Sequence, residues 1–229
     1  MKKIAFSVAI ASSMTVSTLA GLAKPVTFEL NESQNRDVVS FTSDAPIELI
    51  VGRTNKITGN VTVDDSFDLA KKPLEATFDV DLASIDTGIP LRNEHMRDNF
   101  LETKTYPKAT FVLKSLQGQP MILKPGQKMK LMAKGDFTLH GKTVSKLVPV
   151  EVTYVKKCAV TDKIMPGCDL LQIRTTFTVP FKDHQIQRPE VVFQKLADNV
   201  IVTVAASAWV KGGADKASTP AKKDAKTAG

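Results

Sequence analysis

The sequence is poor in the side chains that carry metal and redox chemistry. Its 229 residues include only three histidines, two cysteines and one tryptophan. His95, His140 and His184 do not stand two to four positions apart, the spacings that favour a shared metal site within one segment. No C-x-x-C, G-x-S-x-G, H-E-x-x-H or glycine-rich phosphate motif occurs. We therefore expect no metal, no cofactor and no enzyme activity.

Long hydrophobic runs are also lacking, so no segment is expected to span a bilayer as a helix. Residues 1–23 begin with Lys2 and Lys3, continue with the apolar run Ile4–Ala11 and end in small residues. This order is typical of a cleaved secretory signal. We predict cleavage near Ala23, with Ala20 as the alternative, and export to the periplasm.

The other end of the chain has no apolar residue larger than alanine. Residues 211–229 hold five lysines and two aspartates among small residues, and such a segment cannot bury enough surface to offset the entropy of ordering it. We expect a disordered tail. The formal charge is +7 for the whole chain and falls to +2 for residues 24–210. Nucleic-acid binding is not expected, because no basic stripe interleaved with aromatic residues occurs.

Alternation of apolar and polar residues recurs along residues 24–210 and predicts one domain of eight or nine β-strands. The segment ATFDVDL, for example, places Ala76, Phe78, Val80 and Leu82 on one face. An antiparallel sheet of this many strands must close or stack to cover its edges. The alternation is compatible with either a barrel or a sandwich.

A charged connection, Ser84–Lys108, joins two of the predicted strands and is longer than most such connections. Within it only Leu91–Thr103 has a helical pattern. We expect Asp86 and Thr87 to cap the segment that follows them, since their side chains can accept hydrogen bonds from free backbone N–H groups.

Two roles are open for the charges of this connection. In the structural one, they form an ion-pair network that fixes a lid helix to the rest of the domain; the residues concerned are Asp86, Arg92, Glu94, Arg97 and Asp98. In the functional one, Arg92 and His95 present hydrogen-bond donors to the polar end of a ligand. The two roles are compatible.

Two further features lie between predicted strands. Cys158 and Cys168 form an even pair ten positions apart, which in an exported protein predicts a disulfide that closes a loop. His140 precedes Gly141 at the tip of a tight hairpin, where glycine supplies a positive φ. His140 has either this geometric role alone or, at a barrel mouth, contact with a ligand head group.

Four motifs occur in a fixed order: SIDTG from Ser84, R-x-x-H-M-R-D-x-F from Arg92, YPKATF from Tyr106 and GDFTLHGKT from Gly135. In this order they resemble the YceI-like family, and the resemblance covers residues 38–210. It implies a single antiparallel, lipocalin-like barrel of about eight strands, with a short helix in the Ser84–Lys108 connection. It also implies that the ligand is a polyisoprenoid or another long-chain amphiphile.

We therefore interpret residues 24–210 as an exported barrel that carries or sequesters a long-chain amphiphile, such as a polyisoprenoid, a quinone or a fatty-acid derivative. The hydrocarbon chain of this ligand would lie against inward-facing aromatic side chains, namely Phe78, Phe111, Phe137 and Phe177. Transient membrane contact and a dimer are both compatible with the sequence. The alternative is a ligand-free periplasmic stress-response or interaction protein whose barrel is filled by its own side chains.

Overall fold

The fold is a closed antiparallel β-barrel, as the resemblance of the motifs implies; the alternation alone is compatible with a sandwich as well. The computed structural model describes residues 24–31, 36–157, 169–188 and 195–210. The strands within these ranges are β1 (Pro25–Leu30), β2 (Val38–Asp44), β3 (Leu49–Thr54), β4 (Ile57–Asp64), β5 (Glu75–Asp81), β6 (Lys108–Gln117), β7 (Lys128–Leu139), β8 (Lys142–Val155), β9 (Leu170–Pro180) and β10 (Asn199–Val210). Among the described residues no helix is both long and apolar enough to cross a membrane.

Eight of these strands form the closed wall, in the order β1-β4-β5-β6-β7-β8-β9-β10. The last strand returns to the first, with Phe28 opposite Val210 and Glu29 opposite Trp209. Sequence analysis did not predict β1, although Val26, Phe28 and Leu30 alternate with polar residues. Phe28 and Leu30 are fully buried, so β1 both closes the barrel and fills part of its core.

The β2–β3 hairpin widens the wall beside β10. Strand β2 pairs with residues 201–205 of β10, whereas β1 pairs with the last two residues of that strand. On its other side β3 exchanges backbone hydrogen bonds of 2.9 Å between Arg53 and Asp86. The hairpin therefore bridges the gap between β10 and the long connection after β5.

That connection, residues 82–107, crosses one end of the barrel and is called the lid below. It contains a 3₁₀ turn (Leu82–Ser84), the helix α1 (Pro90–His95) and a single π-helical turn (Met96–Phe100). The short helix thus lies where the sequence predicts it. Proline at its first position suits the first turn, where its missing N–H group is not needed.

The barrel interior contains two clusters of buried apolar side chains. One surrounds Phe28, Leu69, Leu123 and Tyr154 at the end away from the lid. The other surrounds Phe137 beneath the lid. The hairpin at His140 and Gly141 has the expected geometry, with φ of 50° and 70°, and a side chain at Gly141 would collide with the ring of Tyr106.

Candidate binding cavity

The two clusters do not fill the barrel: a cavity of about 570 Å³ passes between them. Its walls are the inward-facing side chains of the strands, and it extends from Leu69 and Leu123 at one end to Leu91 and Arg92 of the lid at the other. Cavities of 300–1,000 Å³ are typical of small-molecule sites. The interior is therefore large enough to hold a ligand.

The alternation of the strands determines which side chains line the cavity. In β9 every second residue from Leu171 to Val179 does so, including Thr175. The hydroxyl of Thr175 donates a hydrogen bond of 2.6 Å to the carbonyl oxygen of Pro149, so its polarity is satisfied within the wall. The lining is consequently almost entirely apolar over the length of the strand.

The four phenylalanines chosen from the sequence all line the cavity: Phe78, Phe111, Phe137 and Phe177. Phe137 and Phe177 meet edge to face with ring centroids 5.7 Å apart. Phe78 lies on β5, and Phe111 lies on β6 at the position opposite it. Whether these rings touch a ligand stays a prediction.

Polar lining residues gather where the lid meets the β2–β3 turn, and this end is called the mouth below. They include Glu48, Arg92, His95 and the exposed Lys195. Leu91 also lines the cavity there and is 60% exposed, whereas Leu69 and Leu123 at the far end are 5% and 4% exposed. The cavity is therefore exposed to solvent at the mouth and covered at the far end.

Arg92 fixes the lid to the hairpin. Its Nη1 donates to Glu48 Oε1 at 2.5 Å, and its Nε and Nη2 donate to the hydroxyl and the carbonyl oxygen of Thr87 at 3.0 Å. The ion pairs therefore differ from the expected network within the connection, since the partner of Arg92 comes from the β2–β3 turn. Asp98 lies 3.4 Å from Lys104 and makes an ion pair within the lid.

The amide of Asn93 organises the start of α1. It donates to Asp86 Oδ1 at 2.6 Å and accepts hydrogen bonds from the N–H and hydroxyl groups of Thr87. No side chain caps α1 directly, because the preceding residue is Ile89; the Asp86 carboxylate instead accepts from the Gly88 N–H. The Gly88 and Asn93 hydrogen bonds hold the pKa of Asp86 below its usual value.

The three histidines occupy different environments. His95 is exposed and lines the mouth. His140 is not among the lining residues: its Nδ1 donates to the carbonyl oxygen of His184, and its ring meets Tyr106 edge to face at 4.8 Å. These contacts agree with the geometric role and place His140 away from the cavity, so contact of its ring with a ligand head group is not supported.

His184 is fully buried and does not line the cavity either. Its ring packs edge to face on Phe137 at 5.3 Å, and its Nδ1 donates to the carbonyl oxygen of Lys142. Burial lowers the pKa of His184, which keeps the imidazole neutral near neutral pH. Among the residues that the structure describes, no group of three His, Cys, Asp or Glu could hold a metal ion.

Sequence reasoning missed the contribution of the β2–β3 hairpin to the cavity. Phe41, Ile50 and Gly52 all line it, as does Glu48 in the turn. Val39 and Phe41 are two positions apart, as are Ile50 and Gly52, and this spacing places each pair on one face of its strand. The pattern could have predicted an inward face. The pairing of Glu48 with Arg92 had no such signal, because it joins two distant segments.

Cys158 and Cys168 lie outside the described residues, as do residues 1–23 and 211–229. Residues on the two sides of the cysteine segment are joined by hydrogen bonds. The Asp169 carboxylate accepts hydrogen bonds of 2.6 Å from the Tyr154 hydroxyl and from the Lys157 N–H. The disulfide, the signal segment and the disordered tail remain predictions.

A closed barrel with a lidded apolar cavity defines a lipocalin-like protein of the kind that accommodates a ligand inside its wall. More particularly, the sequence matches the YceI-like domain family over residues 33–208, so the chain belongs to that family. The resemblance found from the motifs is thereby confirmed.

Three solved structures are similar to this chain. BcnA of Burkholderia cenocepacia is 22% identical, with a TM-score of 0.58 over 78% of this chain and 99% of that one. A polyisoprenoid binding domain from Saccharophagus degradans is 19% identical, with a TM-score of 0.58 over 80% and 98%. The YceI protein of Campylobacter jejuni is 15% identical, with a TM-score of 0.50 over 92% and 99%. Identities this low establish a common fold only. No curated protein matches the sequence.

Proposed function

We propose that this protein is an exported carrier that binds one long-chain amphiphile, a polyisoprenoid, a quinone or a fatty-acid derivative, inside its barrel. The observation that carries the proposal is the continuous apolar cavity of about 570 Å³ between lid and far end. The alternative function requires a barrel filled by its own side chains, and a cavity of this size weighs against it. Binding, and not catalysis, is the proposed activity.

The cavity favours a ligand that is recognised mainly by its chain. Apolar burial contributes about 25 cal/mol per Å², so a long tail enclosed by the wall can be bound tightly with few polar contacts. The lining consists of aliphatic and aromatic side chains from both core clusters. Cavity length would then select the length of the chain.

The mouth offers the ligand's polar end a few partners. Three hydrogen-bonding groups of Arg92 are engaged with Glu48 and Thr87, so its charge is already matched. His95 and Lys195 are exposed beside it and can contact a head group that stays in water. A neutral or an anionic head group fits this arrangement.

One comparison bears on the ligand, and one feature of the sequence bears on the location. The similar domain from Saccharophagus degradans is described as polyisoprenoid binding, which supports an isoprenoid as the first ligand to test. The signal-like residues 1–23 support export to the periplasm. Transient contact with a membrane would supply a ligand that dissolves poorly in water.

The experiment is native mass spectrometry with organic extraction of the mature protein, purified from the periplasm without detergent. We expect a stoichiometric adduct that extracts as a long-chain lipid. A bare mass that stays unchanged after incubation with isoprenoids, quinones and fatty amides would contradict the carrier function. That result would favour the ligand-free interaction protein.

A further inference from the structure

Three phenylalanine rings of the cavity wall lie on glycines of a neighbouring strand. The three contacts are Phe41 on Gly52, Phe78 on Gly59 and Phe111 on Gly135. All three rings line the cavity. A repeated contact of this kind in one wall requires a physical explanation.

The rings approach these glycines so closely that a Cβ atom at the glycine would overlap its neighbours. A methyl group at Gly52 would collide with Phe41 Cε1 and lie 2.8 Å from its Cζ. The corresponding distances are 2.9 Å to Phe78 Cδ1 at Gly59 and 2.7 Å to Phe111 Cε1 at Gly135. At Gly52 and Gly135 a ring atom is the nearest neighbour of the added methyl group, whereas at Gly59 the nearest atom is the Thr77 carbonyl oxygen and the Phe78 ring is second.

The strand register explains two of these contacts. Phe41 is directly opposite Gly52, and Phe78 is directly opposite Gly59. Residues in opposite positions of an antiparallel pair point to the same face, here the inner one. Glycine costs a strand some stability because it has no side chain to pack, and an aromatic neighbour that covers it offsets part of that loss.

We propose that these phenylalanine–glycine contacts set the width of the cavity, so that it admits methyl-branched chains as well as straight ones. The proposal rests on the proposed carrier function and adds to it the property that selects between ligand chains. A ring that packs on a glycine can approach the sheet more closely, so it projects less into the interior. A ring displaced by a methyl group has to turn to another staggered rotamer. The unfilled space beside the ring is the cavity, so the displaced ring would narrow it.

Gly52 is the position for a test, because the three nearest atoms to its added methyl group all belong to the Phe41 ring. At Gly59 and Gly135 the methyl group would also meet backbone carbonyl oxygens, those of Thr77 and Val112. Substitution there would disturb the sheet itself. Gly52→Ala therefore changes the ring and leaves the strands in place.

The experiment measures the affinity of Gly52→Ala and of the parent for two probes with equal backbone length, a polyprenol and a straight-chain fatty alcohol. We expect the variant to bind the polyprenol on the order of tenfold more weakly, the usual effect of overpacking a filled site. The straight-chain alcohol should lose much less. An unchanged ratio of the two affinities would overturn the proposal.

The double variant Phe41→Leu with Gly52→Ala removes the ring that the methyl group meets. We expect it to fold and to recover polyprenol binding relative to Gly52→Ala, which also keeps the test available if the single variant is unstable. A double variant that discriminates against the polyprenol as strongly as Gly52→Ala, or one that fails to fold, would place the conflict elsewhere and overturn the proposal.

A crystal structure of the folded variant separates this inference from the carrier function. If the parent protein binds neither probe and no quinone or fatty amide, the proposed function fails, but the width of the cavity can still be measured. We expect the Phe41 ring of Gly52→Ala to project inward and the cavity to be smaller than that of the parent. A ring that stays against β3, with an unchanged cavity volume, would refute the role of these contacts.

Discussion

Arg92 of the lid helix and Glu48 of the β2–β3 turn form an ion pair across the mouth of the cavity, with 2.5 Å between Nη1 and Oε1. Both side chains line the cavity. The pair connects the lid to the hairpin, the two segments that surround the only end where lining residues are well exposed among those that the structure describes. It is therefore placed to control the opening of the mouth.

We expect Arg92→Met and Glu48→Gln to accelerate ligand release. The pair is partly exposed, and such pairs contribute about 0.5–1 kcal/mol, which corresponds to a two- to fivefold change in rate. Stopped-flow displacement of a fluorescent lipid measures the dissociation rate. Lys104→Met, which removes the exposed Lys104–Asp98 pair of the same lid, is the matched control. Equal release from all three variants would rule out the mouth pair as a barrier.

The stability of the fold should depend on His184 below neutral pH. Burial lowers the pKa of this imidazole in the folded protein, so the unfolded chain takes up the proton first as the pH falls below about 6.5. The unfolded state then binds more protons than the folded one, and the free energy of unfolding decreases by up to about 1.4 kcal/mol per pH unit. Nearby Lys146 disfavours and Asp183 favours the protonated form.

Urea unfolding between about pH 7.5 and about pH 5.5, a range that includes the ordinary pKa of histidine, measures this decrease in the free energy of unfolding. In His184→Gln the amide can still donate to the carbonyl oxygen of Lys142, but it does not titrate. We expect the variant to be less stable overall and to lose most of the decrease in this range. An equally steep decrease in the variant would mean that other groups cause it.

Two alanines of the wall test the direction of the bound chain. Ala76 lines the far half of the cavity and Ala109 lies beneath the lid. We expect Ala76→Phe to shorten the longest chain that binds, while shorter chains keep their affinity within about threefold. Ala109→Phe should weaken chains of every length, since it obstructs the entrance. A series of fatty alcohols measured by calorimetry decides this, and identical length profiles would contradict entry at the mouth.

The predicted disulfide between Cys158 and Cys168 can be tested directly. Closing a loop of this size contributes on the order of 2–3 kcal/mol, and Val155 and Leu170, which precede and follow the cysteine segment, are paired across β8 and β9. We expect no free thiol when the unfolded, unreduced protein is treated with a thiol reagent. Labelling of both cysteines would exclude the bond, and reduction before labelling is the positive control.

Local signals in the sequence predicted much of the fold. The alternation at Phe78 and Phe177 identified the inner face correctly, because the two-residue period of a strand is a property of the local chain. The positive φ at Gly141 and the helix within the lid were likewise predictable, from turn chemistry and from helical periodicity. The motifs from Ser84 to Thr143 identified the family and, through it, the barrel.

The sequence by itself determined which side chains face inward in strands such as β5, β7 and β9, where the lid lies and to which family the chain belongs. Only the tertiary structure decided that Phe28 closes the barrel against Val210, that Glu48 meets Arg92, and that the ring of Phe41 rests on Gly52. Each of these contacts joins residues of different segments. Their partners depend on strand order and register, which the alternation within one strand does not specify.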